Sequence, residues 1–148
     1  MENGIERVED GWDVRPIRGV GVGEVTIGNT MRLHIGPHGI EVWSPAELTA
    51  DGVTCSVHAY GRINPGRMPQ LLDQVVAEVH AADSGVLRVR FANGWRLDVP
   101  VPPEGPGGAG GLNGCGDAGW IVALRGRHFL RPTPGGGVRI SGRRQEQG

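Results

Sequence analysis

The chain has 148 residues, of which 38% are hydrophobic, and it contains 27 glycines and 11 prolines. A chain of this length fits one domain, and its core is large enough to fold without disulfide bonds or a structural metal. Frequent glycine and proline argue against long helices. All 15 basic residues are arginine, and against 16 acidic residues they leave a net charge of −1. This balance argues against non-specific nucleic-acid binding, so we expect no nucleic-acid partner.

Neither a leader nor a membrane anchor is expected from the sequence. The first residues, MENGIE, lack the basic region and apolar core of a secretory signal, and no run approaches the roughly 18 apolar residues of a membrane span. Cys55 and Cys115 lie in unlike contexts and predict no disulfide framework. We therefore expect a soluble cytoplasmic protein.

The chain divides into a lead, one domain and a tail. Residues 1–16 are rich in acidic side chains and are predicted to be a polar lead, and residues 17–140 are predicted to form a single β-rich domain. Residues 100–119 consist largely of glycine and proline and predict a flexible insert in that domain. Residues 141–148 are predicted to be a disordered tail.

The first predicted unit of the domain is a three-stranded antiparallel meander. Apolar and polar residues alternate at 22–27 and 31–35, and again after a turn that ends at Gly39. Such alternation is typical of strands with one buried face.

Two weaker elements follow this meander. Residues 53–60 alternate imperfectly and predict a further strand. A proline near its start and the pair Leu71 and Leu72 predict one short helix over residues 67–73, with both leucines against the core.

A second meander occupies residues 75–99, and its register follows from the alternation. The inward residues of its last two strands match only when Phe91 lies opposite Trp95, which leaves a three-residue loop ending at Gly94. Residues 22–25 (VGEV) also match residues 76–79 (VAEV). The two meanders are therefore predicted to be copies of one unit, about 55 residues apart.

The C-terminal part predicts a hairpin at residues 120–124 and 128–130, followed by a closing strand at 138–140. The predicted fold class is mainly β: a single domain of about eight to nine strands in two related three-stranded antiparallel meanders plus a C-terminal hairpin, with one short helix. The predicted core consists of Val25, Ile27, Leu33, Ile35, Val42, Leu72, Val79, Leu87, Val89, Phe91, Trp95, Leu97, Val99, Trp120, Val122 and Leu124.

Residues 91–99 (FANGWRLDV), a strand centred on Trp120 and the PGG at 134–136 resemble a family of short uncharacterised bacterial β-rich proteins, a domain of unknown function. In that family an F-x-D/N-G-x-x-L-x-V hairpin precedes an E-A-W strand and a terminal P-G-G turn. The resemblance covers residues 17–140 and implies a β-rich fold, with no activity, cofactor or functional residue attached. The long insert and the residues 117–119 before Trp120 depart from the family pattern.

No pattern in the sequence predicts catalysis, a cofactor or a metal site. Cys55 and His58 are three residues apart, which places them on opposite faces of a strand, and His34 and His80 lack metal-ligand spacing. Cys115 lies among glycines, which provide no rigid platform for a nucleophile and its base.

The polar face of the second meander is the most suggestive feature, because its register pairs Arg88 with Asp98 and sets Arg90 opposite Arg96. Arginine and tryptophan are enriched at binding hot spots, although cross-strand pairs of this kind also occur on ordinary sheet exteriors. The candidate binding residues are Arg88, Arg90 and Arg96, with Arg32 and Trp43 on the matching face of the first copy.

These observations predict a non-enzymatic protein-interaction module, immunity-like or accessory, whose partner is another protein. One alternative is a self-associating structural β protein, a homodimer that pairs through the edge near residues 53–60. The other is a small enzyme or ligand-binding barrel that uses His58, His80 or Cys115.

Overall fold

The structure, a computed structural model, describes residues 4–57, 65–100, 119–125, 127–133 and 137–142. Within them the chain forms thirteen β-strands and two short 3-10 turns, Arg15–Ile17 and Met68–Leu71, and the predicted mainly β fold is confirmed. The strands are β1 (Ile5–Val8), β2 (Gly11–Val14), β3 (Val22–Ile27), β4 (Met31–Ile35), β5 (His38–Val42), β6 (Ala46–Ala50), β7 (Val53–Val57), β8 (Val76–Ala82), β9 (Leu87–Phe91), β10 (Arg96–Val99), β11 (Trp120–Leu124), β12 (His128–Pro132) and β13 (Val138–Gly142).

The strands form two antiparallel sheets around one hydrophobic core. The seven-stranded sheet has the order β1-β2-β8-β9-β10-β6-β7, and the six-stranded sheet has the order β13-β12-β11-β5-β4-β3. Inward side chains of both sheets join one buried cluster, and the indole N–H of Trp120 donates to the carbonyl of Gly85, between β8 and β9, at 2.9 Å. Removal of this apolar surface from water holds the sheets together.

The two copies of the internal repeat share a local irregularity in their first strands. The meander β3-β4-β5 corresponds to the meander β8-β9-β10. In each, the first strand carries a β-bulge, between Val22 and Glu24 in β3 and between Val76 and Glu78 in β8. A bulge adds one residue to a strand and bends it. Because the bulges fall at matching positions, the two meanders are copies of one unit.

An approximate two-fold axis relates the two copies. Gly21 and Val75 hold the same position in each copy, and they form an antiparallel bridge with one another. The N–H of the residue after each donates to the carbonyl of the residue before the other, at 2.8 and 3.0 Å. Such reciprocal bonding is symmetric about the bridge, so the axis passes between these two residues.

The copies also exchange strands. β6 follows β5 in the chain but pairs with β10, whereas β11 follows β10 in the chain but pairs with β5. The order β8-β9-β10-β6-β7 in one sheet therefore matches β3-β4-β5-β11-β12 in the other. Each sheet needs strands from both copies, which makes the pair a single interlocked domain.

The predicted register of the β9–β10 hairpin is confirmed. The N–H of Phe91 donates to the carbonyl of Trp95 at 2.9 Å, and the N–H of Gly94 donates to the carbonyl of Phe91 at 2.9 Å. Gly94 has φ +96°, a conformation that glycine adopts without steric cost.

The prediction of a polar lead over residues 1–16 is wrong, because the described part of it, residues 4–16, contains the strands β1 and β2. β1 and β2 form a hairpin, and β2 pairs with β8. Ile5 and Val14 are buried in the core. Only these few apolar residues face inward, so the acidic outward side chains concealed the alternation that predicts a strand.

The short helix predicted over residues 67–73 is a single 3-10 turn, Met68–Leu71. Leu71 is buried, but Leu72 is 45% exposed, because the turn has ended and residue 72 has an extended backbone. The placement of Leu72 in the core is therefore wrong. Val25 and Ile27 pack against the core while only partly buried, and the other predicted core residues are buried.

The start of one strand differs from the sequence prediction, and one further strand was not predicted. Ile35 pairs with His38, so β5 begins at His38 rather than after Gly39. β6 was not predicted, because alanine at Ala46 and Ala50 gives a weak apolar signal although both residues are buried. With the first hairpin and β6 added, the strands exceed the eight to nine expected.

Several predictions fall on residues outside the described ranges. They concern residues 58–60 of the strand that begins as β7, the insert over 101–118 and residues 143–148 of the predicted tail. The first two residues of that tail, 141 and 142, belong to β13, so its predicted start at residue 141 is wrong. Of the helices that the structure describes, none has the length and apolar character needed to cross a membrane.

Candidate functional site

The outward side of the seven-stranded sheet carries two parallel rows of polar side chains. The first row reads Glu78, Arg90, Arg96, Thr49 and Thr54, and the second reads Asp13, His80, Arg88, Asp98, Glu47 and Ser56. We define the arginine face as the outward side chains of Glu78, Arg88, Arg90, Arg96, Asp98 and Glu47. The cross-strand pairing of Arg88 with Asp98 and of Arg90 with Arg96 agrees with the predicted register.

Asp98 holds two of the arginines in place. Its Oδ1 accepts from Nε of Arg88 and its Oδ2 accepts from Nε of Arg96, both at 2.8 Å. The Asp98 side chain is only 17% exposed, which strengthens these charge-assisted bonds. Because the bonds use Nε, the terminal nitrogens of both guanidinium groups remain able to bind another acceptor.

Arg90 is held much more loosely. Its Nε lies 3.7 Å from Oε1 of Glu78, and its side chain is 54% exposed; that separation exceeds a hydrogen bond. Phe91 and Trp95 form the hydrogen-bonded pair next to it, so Arg90 and Arg96 form a non-hydrogen-bonded pair with Cα atoms about 4.5 Å apart. Two cations directly opposite one another are destabilising.

Two shallow depressions flank Arg96. One, of about 320 Å³, is lined by Arg90 and Arg96 together with Phe91, Gly94 and Trp95. The other, of about 340 Å³, lies on the far side of Arg96 and is lined by acidic and basic members of the arginine face, by Val86 and by Pro100. The face therefore presents a cationic hollow with an apolar wall beside a hollow of mixed charge.

A cluster from three distant segments fixes the apolar wall of the first hollow. The indole N–H of Trp95 donates to Oδ1 of Asp51 at 3.3 Å, and the Arg67 guanidinium lies 4.6 Å from the Trp95 ring centroid. Arg67 also bonds Oδ2 of Asp51 at 3.3 Å. The attraction between the Arg67 cation and the indole ring also stabilises the position of Trp95. The sequence did not reveal this cluster, because its members lie far apart along the chain.

The other two predicted binding residues do not join the arginine face. Arg32 lies on β4 of the six-stranded sheet, with a terminal nitrogen 3.5 Å from Oε1 of Glu41. Trp43 follows β5, is half-buried, and donates its backbone N–H to the carbonyl of Gly119 at 2.8 Å. The five predicted residues thus fall on two sheets, and only the three arginines of the second copy lie together.

Equivalent positions of the two meanders show which of those three arginines occur only in the second copy. Arg88 and Asp98 correspond to Arg32 and Glu41, which also form an ion pair. Arg90 corresponds to a histidine, His34, and Arg96 corresponds to a glycine, Gly39. The first copy forms the same meander without arginines at these two positions, so the fold does not require them.

His38 holds in the first copy the position that Trp95 holds in the second, opposite the last residue of the preceding strand. Its side chain is buried, and its Nδ1 has no hydrogen-bond partner among the described residues. Burial, followed by the charge of Arg125, holds the pKa of His38 below its ordinary value. The sequence had placed this residue in a turn.

The residues considered for catalysis or metal binding do not converge in the described ranges. Nε2 of His80 lies 3.3 Å from Asp10, and Nε2 of His34 lies 2.9 Å from the hydroxyl of Thr26. Cys55 is an exposed free cysteine on β7. His58 and Cys115 lie outside those ranges, and within them no three His, Cys, Asp or Glu side chains form a group that could hold a metal ion.

These features define a mainly β domain built from an internal repeat, with one polar face enriched in arginine. A family model matches residues 13–106, from β2 to beyond β10, and the chain belongs to that family, described as a family of unknown function (DUF6188). The resemblance to an uncharacterised family is thereby confirmed. No curated protein matches the chain, and no solved structure does.

Proposed function

We propose that the protein is a non-enzymatic protein-interaction module, immunity-like or accessory, that binds another protein through the arginine face. One observation carries the proposal: Arg90 and Arg96 lie directly opposite each other on an exposed sheet face, at positions where the first copy has a histidine and a glycine. This arginine pair opposes folding, and the first copy folds with other residues at the same positions. A role in binding best explains why the second copy has the pair.

The composition of the arginine face favours a protein over a nucleic acid. The carboxylates of Glu47, Glu78 and Asp98 lie in the same two rows as its three arginines. A nucleic-acid surface needs a continuous run of cations that neutralise phosphates, whereas carboxylates within the face would repel them. Arginine is enriched at protein interfaces, and Trp95 lines the hollow beside Arg90 and Arg96.

The proposal assigns a binding role and no catalytic step. The arginine face supplies hydrogen-bond donors and acceptors on the rigid central strands of a sheet, which suits recognition. We further propose that the protein acts in the bacterial cytoplasm, on the sequence features described above. Arg32 and Trp43 stay predicted as a separate contact area on the other sheet.

Affinity capture with a charge-reversed variant tests this proposal. Wild-type protein immobilised on beads is incubated with host lysate, and bound proteins are quantified by mass spectrometry. The triple variant with Arg88→Glu, Arg90→Glu and Arg96→Glu is expected to lose a protein that the wild type enriches. A control triple variant with Arg15→Glu, Arg18→Glu and Arg139→Glu, all exposed in the wild type, is expected to retain it. Equal capture by both triple variants would overturn the proposal.

Self-association is a second candidate, favoured by a feature of β7. This strand is the last in the order of the seven-stranded sheet, and its Val53 is 59% exposed. Sheet edges can pair with a second copy. Light scattering on the purified protein tests this directly: a dimer mass supports pairing through β7 if Val53→Lys restores the monomer, and a monomer mass excludes it.

A further inference from the structure

The arginine face also indicates what its partner presents. We propose that Arg90 and Arg96 together bind one carboxylate, an aspartate or glutamate side chain on an acidic segment of the partner protein, in the hollow walled by Trp95. This inference rests on the proposed function, and it assigns the chemistry of one contact within that interface.

The relative position of the two guanidinium groups is the first argument. Arg90 and Arg96 are cross-strand neighbours and line the same hollow. Without a ligand their charges repel. An anion between them converts that repulsion into two attractions, so the site is complementary to a negative group and to little else.

The second argument is that Arg96 is fixed by a hydrogen bond, whereas Arg90 is held only loosely. Arg96 commits its Nε to Asp98 at 2.8 Å, which orients the guanidinium and directs its terminal nitrogens away from that carboxylate. Arg90 stands 3.7 Å from Glu78 and can turn its planar fork toward a ligand. A guanidinium fork matches a carboxylate with two parallel bonds, so one fixed and one adjustable arginine can hold both oxygens.

The walls of the hollow are the third argument. Its volume of about 320 Å³ is at the small end of ligand sites, which span about 300–1,000 Å³, and it suits a side chain rather than a large cofactor. Trp95 and Phe91 line it, and Trp95 is anchored by Asp51 and Arg67. An apolar wall excludes water and strengthens the charge interaction beside it.

The local charge balance distinguishes a carboxylate from a phosphate chain. Among the described residues, the lining of the hollow carries two cations, Arg90 and Arg96, and no carboxylate, but each cation has a carboxylate beside it, Glu78 at 3.7 Å and Asp98 at 2.8 Å. A ligand with a single negative charge meets the least repulsion from those two carboxylates. A phosphate group carries up to about two negative charges, and neighbouring phosphates would meet Glu78 and Asp98.

The test is an NMR titration of the full chain with the capped amino acid acetyl-glutamate amide, which carries one carboxylate. The Nε–H signals of Arg90 and Arg96 and the indole signal of Trp95 are expected to shift together and to saturate. Acetyl-glutamine amide, of the same shape without the charge, is expected to leave them in place. Equal shifts with both compounds, or shifts centred on other arginines, would overturn the inference.

Single variants sharpen the titration. Arg90→Gln and Arg96→Gln are each expected to weaken binding of acetyl-glutamate amide by at least about tenfold, since a hydrogen bond to a charged group contributes that much. Arg18→Gln is the control, because the Arg18 side chain is 43% exposed and that of Arg96 is 42% exposed; its affinity should match the wild type. Unchanged affinity in Arg90→Gln, or tighter binding of inorganic phosphate than of the carboxylate, would contradict the inference.

The two proposals fail in different ways. If the captured protein depends on the three arginines but acetyl-glutamate amide shifts no signal in the hollow, the interaction surface stands and the carboxylate contact is wrong. If the charge-reversed triple variant captures the same proteins as the control, the proposed function itself is wrong.

Discussion

The two copies of the repeat share a fold and differ on their outward faces. Both have the same strand order and the same bulge in the first strand. The first copy carries Arg32 paired with Glu41 and has a histidine and a glycine where the second has Arg90 and Arg96. Features common to both copies serve the fold, and features of one copy alone are candidates for function.

The hairpin loops differ in the same way. In the first copy Ile35 pairs with His38 across a two-residue loop, whereas in the second Phe91 faces Trp95 across a three-residue loop. Both loops are followed by a buried residue, Trp95 in the second copy and His38 in the first, but Trp95 also lines the hollow beside the arginines. The second copy thereby gains an apolar wall next to its cations.

Truncation of equivalent core residues should have the largest effect and should be equal in the two copies. Leu97 and Ile40 correspond, and both are fully buried. Leu97→Ala and Ile40→Ala are each expected to lower the free energy of unfolding by about 2–5 kcal/mol, measured by urea denaturation. Leu72→Ala, at an exposed position, should change it by less than about 0.5 kcal/mol. A small loss in one copy and a large loss in the other would contradict the interlocked sheets.

Substitution of glycine by alanine should lower stability at Gly94 in the second copy but not at Gly23 in the first. Gly94 has φ +96° with open space around it, so Gly94→Ala is expected to cost about 1–3 kcal/mol from backbone strain alone. The matched control is Gly23→Ala, because the second copy carries Ala77 at that position and an added Cβ would meet only the His34 carbonyl at 3.9 Å. That change should be neutral or slightly stabilising. Equal losses at both positions would show that φ is not the cause.

His38 should make stability depend on pH. Its folded-state pKa is lowered by burial and by Arg125, so the unfolded chain binds the proton more readily than the folded chain does. Its contribution is therefore fully present above the unfolded pKa of about 6.5 and is lost as pH falls below it. We expect the unfolding free energy of the wild type to decline from pH 7 to pH 5 more steeply than that of His38→Gln. Parallel profiles would contradict this assignment.

The smallest effect on stability is expected at the proposed contact itself. The double variant with Arg90→Gln and Arg96→Gln should change the free energy of unfolding by less than about 0.5 kcal/mol or raise it slightly, because a like-charge pair is removed. Asp98→Asn is the comparison, since it weakens the bonds to Arg88 and Arg96, and it should lower stability by about 1 kcal/mol. A larger loss in the double variant than in Asp98→Asn would give Arg90 and Arg96 a structural role.

The strands and hairpins that form between neighbouring segments could be predicted from the sequence, because apolar alternation and turn residues encode them directly. The register of Phe91 opposite Trp95 followed from which residues must face inward, and the repeat followed from matched residues in the strands. The strand exchange between copies could not be predicted, because it depends on which sheet β6 and β11 join after their connections. Such pairings are non-local and leave no periodic signal.

The candidate site was predictable to the same extent. Alternation alone placed Arg88, Arg90 and Arg96 on one face, which the pairing of β9 with β10 bears out. The anchoring of Trp95 by Asp51 and Arg67 needs tertiary structure. So does the comparison with the first copy, because the equivalence of a glycine with Arg96 appears only once the loop lengths and pairings are known.

Affinity capture with the Arg90→Gln, Arg96→Gln double variant is the decisive test of the proposed binding role. We expect this variant, folded and as stable as the wild type, to fail to retain the host protein that wild type and Arg18→Gln both capture. Retention of that protein by the double variant would contradict the claim that these two arginines serve binding.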